Sequence, residues 1–145
     1  MDVYVSTVIQ KPIDEVWAKI RDFNGLAGWM AGILACEIEG GRASDAVGAV
    51  RRMTIPNGGQ VREQLLALSD VEHSLTYAVL EGPLPVASLV ATMTLKPITT
   101  EAGATFGEWT ARFVAHEGKE QAARELLGKV FGAGWRGLKK SLGAG

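Results

Sequence analysis

Two oppositely charged side chains stand at matching positions of a predicted β-hairpin. Arg51 and Glu63 flank the turn 56–59, Pro-Asn-Gly-Gly, in which asparagine and glycine accept positive φ. Because alternate residues of a strand share a face, the faces that carry these charges are otherwise apolar. They comprise Ala49, Arg51, Met53 and Ile55 on one strand, and Val61, Glu63, Leu65 and Ala67 on the other. If Arg51 is buried, it needs Glu63 as its partner.

Three interpretations of this pair are open. It can be a solvated salt bridge at the rim of the sheet, an interior ion pair of structural importance, or a catalytic or ligand-orienting pair inside a cavity. In the third case Arg51 binds a carbonyl or an acid, and Glu63 transfers a proton.

Aromatic residues elsewhere in the chain supply enough apolar surface to line a pocket, and equally enough to fill one. Tyr77 adds a phenolic donor if its strand turns it inward, although a half-buried core position is also typical of tyrosine. The predicted ligand-binding residues are Trp29, Tyr77, Leu89, Trp109, Phe113, Leu127, Phe131, Gly134 and Trp135.

Residues typical of metal, nucleotide or thiol chemistry lack the necessary spacing. His73 lies in a predicted turn and His116 just past a strand end, so both are expected to be exposed, and neither has a second ligand at i+2 or i+4. Cys36 is predicted to be a small buried hydrophobe. Neither glycine-rich turn, at 40–41 or 58–59, has the pattern of a phosphate-binding loop. The sequence therefore predicts no metal and no cofactor.

Composition indicates a single domain spanning residues 1–145. Hydrophobic residues make up 47% of the chain and charged residues 21%, with a formal net charge of -1, so no attraction to nucleic acid or anionic membrane is indicated. The single cysteine excludes an internal disulfide, and no apolar run is long enough to span a membrane. These features predict a cytoplasmic protein, a monomer or homodimer, without integral membrane association.

Strand patterns dominate the chain, and helical patterns stand near both ends. A first strand at 3–9 precedes a short helix that begins after Pro12 and ends near Asp22, and a second helical piece is predicted at 25–30. Short turns separate the later strands, which favours antiparallel neighbours. The predicted strands cover 33–39, 49–55, 60–68, 74–80, 86–96 and 105–114.

The last segment, 119–142, has the spacing of a long amphipathic helix. Four glycines, at 128, 132, 134 and 137, are costly in a helix interior and call for a reason such as close approach, a bend or space for a ligand. At Gly134, and also at Gly128, we expect the missing side chain either to leave room for a ligand beside Phe131 and Trp135 or to permit a bend.

Several stretches, in order along the chain, resemble the START-like, Bet v 1-like superfamily, in particular its polyketide cyclase/dehydrase and lipid transport group, the SRPBCC proteins. The matching stretches are 9–17 (IQKPIDEVW) with Asp22, Phe23 and Trp29, then 48–51, 63–65, 75–77, 82–85, Trp109 and Phe113. The resemblance implies an α+β helix-grip fold: an antiparallel sheet of about seven strands wrapped around the C-terminal helix, with two short helices after the first strand.

The resemblance implies a class of function but no specific ligand or reaction. It implies binding or carriage of a small hydrophobic or amphipathic molecule, such as a lipid, a polyketide or an aromatic compound, between the sheet and the last helix. The alternative is a cofactor-free cyclase, dehydratase or isomerase that uses Arg51 and Glu63, a pair that resembles the arginine and glutamate of plant lachrymatory-factor-synthase-like members. A stress or co-chaperone-like interaction module of the same fold is a third class.

Overall fold

Seven β-strands form one antiparallel sheet in the computed structural model, which describes residues 2–144. The strands are β1 (Asp2–Ile9), β2 (Ala35–Ile38), β3 (Val50–Thr54), β4 (Gln60–Ser69), β5 (Ser74–Glu81), β6 (Val86–Pro97) and β7 (Thr105–Ala115). Their order across the sheet is β1-β7-β6-β5-β4-β3-β2. The first two strands of the chain are therefore the two edges of the sheet, and the chain between them crosses from one edge to the other.

That crossing contains helix α1 (Ile13–Arg21) and a 3₁₀ helix (Phe23–Gly28). Pro12 precedes α1 with φ -60°, which suits a helix start, and the negative side chains of Asp14 and Glu15 lie in its first turn. The second piece differs from the predicted helix at 25–30: two glycines in six residues favour only a short, tight turn. The predicted strand at 33–39 is shorter in the structure, because only Ala35–Ile38 pairs with β3.

The inner face of the sheet is formed by alternate residues, as the sequence pattern predicts. Along β7 the buried residues are Thr105, Gly107, Trp109, Ala111 and Phe113. The predicted shared orientation of Trp109, Ala111 and Phe113 is confirmed.

A β-bulge in β4 limits the predicted alternation there. The pairing with β5 shifts register between Leu65 and Ala67, so Leu65 is buried whereas Leu66 and Ala67 are both exposed. The prediction that Ala67 shares the inner face with Val61, Glu63 and Leu65 is therefore wrong. An extra residue in one strand has no signature in hydrophobic periodicity alone.

Helix α2 (Glu120–Ser141) lies against the inner face and is held there by aromatic contacts. The Phe131 ring stacks on Trp109, with centroids 4.4 Å apart and planes 7° from parallel. Trp135 meets Trp109 edge-on and donates its indole N–H to the carbonyl of Val5 at 3.0 Å. The chain thus has the α+β helix-grip fold. No helix within residues 2–144 is long and apolar enough to cross a bilayer.

Candidate functional site

A cavity of about 420 Å³ lies between the sheet and α2. Its floor comes from alternate residues of β3, β4, β5, β6 and β7, its roof from one face of α2, and its sides from the loops 30–33 and 83–84. The lining residues are Leu26, Met30, Ala31, Gly32, Ile33, Arg51, Met53, Ile55, Val61, Glu63, Tyr77, Val79, Pro83, Leu84, Leu89, Trp109, Leu126, Leu127, Lys129, Val130, Phe131 and Ala133. Most are apolar.

The cavity reaches the surface between those two loops and α2. Ala31, Gly32, Pro83 and Lys129 are exposed there, whereas Trp109, Tyr77 and Leu89 are buried on the sheet side. A ligand would therefore enter between the loops with Lys129 as the charged side chain beside its path.

Arg51 and Glu63 form the polar group on the cavity floor. They are directly opposite each other on β3 and β4, only 5% and 9% exposed. Arg51 donates from Nε (2.9 Å) and Nη2 (2.6 Å) to a single oxygen, Glu63 Oε1, and from Nη1 to the carbonyl of Phe23 (3.2 Å). Its guanidinium also lies over the ring of Phe23, 3.9 Å from the centroid. The pair is therefore buried and faces the cavity, which excludes a solvated salt bridge at the rim.

Several hydrogen-bonding positions in this group have no protein partner. Glu63 Oε2 accepts no hydrogen bond from residues 2–144. The three bonds of Arg51 use three of its five N–H groups and leave two. Tyr77 Oη accepts from Trp109 Nε1 at 3.1 Å, while its own hydrogen has no acceptor within the described chain. The floor thus offers one charged acceptor and several donors to a ligand.

Tyr77 stays a neutral donor over the whole physiological pH range. Burial raises the pKa of its phenol far above the ordinary value, and the negative charge of Glu63 raises that pKa further. Arg51 and the hydrogen bond from Trp109 lower it by less.

Alkaline solutions are expected to reveal this buried phenol. The folded pKa of Tyr77 lies above the unfolded value of 10.0, so the free energy of unfolding falls as the pH rises beyond about 10. Tyr77→Phe is expected to make that fall shallower by up to about 1.4 kcal/mol per pH unit. Urea unfolding of wild type and Tyr77→Phe between about pH 8 and 11 measures the two slopes. Equal slopes in wild type and Tyr77→Phe would contradict the prediction.

Comparison with known families matches residues 1–143 to the model described as polyketide cyclase / dehydrase and lipid transport. The chain belongs to this family. Among solved structures, an uncharacterised protein from Bacillus thuringiensis is 27% identical over 97% of this chain and 98% of its own, with a TM-score of 0.86. Protein XoxI from Bacillus cereus is 28% identical over 97% and 94%, with a TM-score of 0.85. A comparison with curated proteins finds no significant match.

Seven of the residues predicted for the site in this family member line one cavity: Arg51, Glu63, Tyr77, Leu89, Trp109, Leu127 and Phe131. Four others, Trp29, Phe113, Gly134 and Trp135, are buried in the core but are not among the lining residues. Within residues 2–144, Trp29 Nε1 is the one side-chain nitrogen or oxygen that is fully shielded from solvent and lacks a hydrogen-bond partner.

Gly134 has a packing role that differs from the predicted one. A Cβ atom at this position would lie 2.5 Å from Trp109 Cζ3 and 2.9 Å from Met30 Sδ. The expectation that Gly134 leaves room for a ligand is therefore wrong: protein atoms already occupy that space, and the missing side chain allows α2 to approach Trp109 closely.

Two kinds of lining residue were not predicted as ligand contacts. Met53, Ile55 and Val61 were placed on the faces of Arg51 and Glu63 without being assigned to the site, and Val79 follows from the alternation along the strand of Tyr77. The loop residues 30–33 and 83–84 have no periodic signal, and only the folded chain brings them to the cavity.

Cysteine and histidine lie outside the polar group. Cys36 is half-buried, packs against the core, and has a thiol pKa raised by burial, which disfavours the nucleophilic thiolate. His116 is exposed as expected, whereas His73 is half-buried against Trp17, with ring centroids 5.8 Å apart. Within residues 2–144, no three histidine, cysteine, aspartate or glutamate side chains are grouped to hold a metal ion.

Proposed function

We propose that this family member binds a small, mainly apolar molecule in the cavity between α2 and the sheet, with one polar group of the ligand at Arg51, Glu63 and Tyr77. One observation carries the proposal: a cavity of about 420 Å³ has apolar walls and a single cluster of converging polar groups. Small-molecule sites typically measure about 300–1,000 Å³ and have this distribution of polarity.

Packing energetics also support ligand binding over a purely structural interior. Protein cores are close-packed, and residues that border a void lose contacts on one side. The protein keeps Leu89, Leu127 and Phe131 around such a volume, and a ligand that fills it would restore those contacts. A ligand that binds only the folded state stabilises it by mass action.

The neutral fluorescent probe N-phenyl-1-naphthylamine tests cavity binding. We expect its fluorescence to rise on binding, and Val79→Trp to weaken its affinity at least about 10-fold because the indole fills the cavity. Val114→Trp is the matched control, since Val114 is 60% exposed on β7 and does not line the cavity. Absence of binding by wild type, or equal affinity of the two variants, would refute the proposal. Native mass spectrometry of protein purified from its own host can then identify the bound molecule.

A catalytic role in cyclisation, dehydration or isomerisation is the second candidate, favoured by the unpartnered Glu63 Oε2 beside Arg51. A carboxylate with a free oxygen in a cavity can accept a proton, while the guanidinium polarises a substrate oxygen. The molecule identified by mass spectrometry decides between the roles: conversion that Glu63→Gln abolishes supports catalysis, whereas recovery of unchanged ligand supports binding alone.

A further inference from the structure

The polar groups on the cavity floor differ in whether they need a hydrogen-bond donor or an acceptor from the ligand. Glu63 Oε2 is an acceptor and requires a ligand donor, whereas the Tyr77 hydrogen and the two remaining N–H groups of Arg51 require a ligand acceptor. The indole N–H of Trp109 occupies one lone pair of Tyr77 Oη and thereby orients the phenol. A ligand complementary to this floor must both donate and accept.

We infer that the ligand carries a neutral hydroxyl group, alcoholic or phenolic, that donates to Glu63 Oε2 and accepts from Tyr77 Oη–H. This inference rests on the proposed function, because it specifies which polar group the cavity selects. It assigns Glu63 and Tyr77 separate parts in selectivity: Glu63 recognises the ligand hydrogen, and Tyr77 recognises the ligand oxygen.

Ethers and ketones meet only half of this requirement. Their oxygen accepts from Tyr77 or Arg51, but binding removes water from Glu63 Oε2 without replacing the lost hydrogen bond. A charged acceptor left without a donor weakens affinity about 10- to 100-fold. A site built around a ligand hydroxyl therefore rejects analogues that lack its hydrogen.

Ligand carboxylates are disfavoured by charge. Arg51 is already neutralised by Glu63 across a 2.6 Å contact, so a ligand carboxylate on the floor would add a second negative charge without a second cation. Like charges in a site of low polarity repel strongly. Lys129 cannot compensate there, because it lies exposed at the cavity entrance.

A matched series on one scaffold tests the inference. The probes are 2-naphthol (donor and acceptor), 2-methoxynaphthalene (acceptor only), naphthalene (neither) and 2-naphthoate (anion), with dissociation constants from calorimetry at neutral pH. We expect 2-naphthol to bind at least about 10-fold more tightly than 2-methoxynaphthalene, and 2-naphthoate to bind most weakly.

Two variants distinguish the contribution of Glu63 to ligand selectivity from that of Tyr77. Glu63→Gln places an amide at the floor that can donate to an ether, so the preference for 2-naphthol over 2-methoxynaphthalene is expected to disappear. Tyr77→Phe removes a donor that both ligands use, so both affinities should fall by similar factors and their ratio should persist. Circular dichroism establishes whether each variant is folded. If Glu63→Gln does not fold, the ratio of the affinities of wild type for 2-naphthol and 2-methoxynaphthalene tests the inference by itself.

The outcomes distinguish this inference from the proposed function. If N-phenyl-1-naphthylamine binds but 2-naphthol shows no preference over 2-methoxynaphthalene, or does not bind, the hydroxyl inference is overturned and cavity binding stands. If the fluorescent probe does not bind either, the proposed function falls and the inference falls with it. A preference that survives Glu63→Gln would also overturn the part assigned to Glu63.

Discussion

Arg51→Met alone is expected to lower the free energy of unfolding by about 3–5 kcal/mol, whereas Arg51→Met combined with Glu63→Leu should leave it unchanged or raise it. The single replacement strands a carboxylate that is 9% exposed and loses the hydrogen bond to the Phe23 carbonyl. The double replacement removes both desolvation penalties and adds apolar contacts in a cavity that is already mainly apolar.

Chemical denaturation of the wild type, both single variants and the double variant measures this coupling as a double-mutant cycle. The ion pair of Arg52 and Glu37 is a matched control on the neighbouring residue of β3, because its side chains are 40% and 69% exposed. Its cycle should give a coupling of less than about 1 kcal/mol.

The double variant also separates stability from function. If it is as stable as wild type and no longer prefers 2-naphthol, the buried pair is retained for ligand recognition at no benefit to the fold. If its loss of stability equals the sum of the two single losses, the pair does not interact as the 2.6 Å contact requires, and the prediction is contradicted.

Periodicity in the sequence was sufficient to predict most strands and the two main helices, because one buried face favours alternation along a strand; the helix-grip arrangement of these elements was implied by the family resemblance. Trp109 and Phe113 follow that rule through the whole of β7. The rule fails at the bulge after Leu65, where an extra residue changes the pairing without changing the composition.

Only the site residues that belong to β-strands could be predicted to lie together. Arg51 and Glu63 were found because a hairpin turn fixes which residues face each other. Their burial could not be predicted, since it depends on Phe23, which is distant in sequence and supplies both a carbonyl and a ring. The sequence also could not predict which glycine of α2 allows close packing. That depends on which atoms of other elements face each glycine in the folded protein.

Gly137→Ala is expected to lower the free energy of unfolding by about 3 kcal/mol, although alanine is the better helix former by about 1 kcal/mol. The added Cβ would overlap the carbonyl oxygen of Trp29, which is backbone and cannot rotate away. The clash must move α2 or the chain from Trp29 to Ile33, and residues 30–33 of that chain form a wall of the cavity. Affinity for N-phenyl-1-naphthylamine should therefore fall together with stability.

Gly128→Ala, in the same helix, is expected to raise the free energy of unfolding where Gly137→Ala lowers it. Apart from the backbone of the helix itself and the adjacent residues, no heavy atom lies within 4 Å of the position that its Cβ would take, so the substitution should bring only the gain in helix propensity, about 1 kcal/mol of added stability. Thermal or urea unfolding of the two variants compares the same chemical change at two places. If both stabilise the protein, α2 does not approach the Trp29 backbone closely. Opposite signs would mean that Gly137 sets how near the helix comes to the cavity wall, and that Gly128 does not.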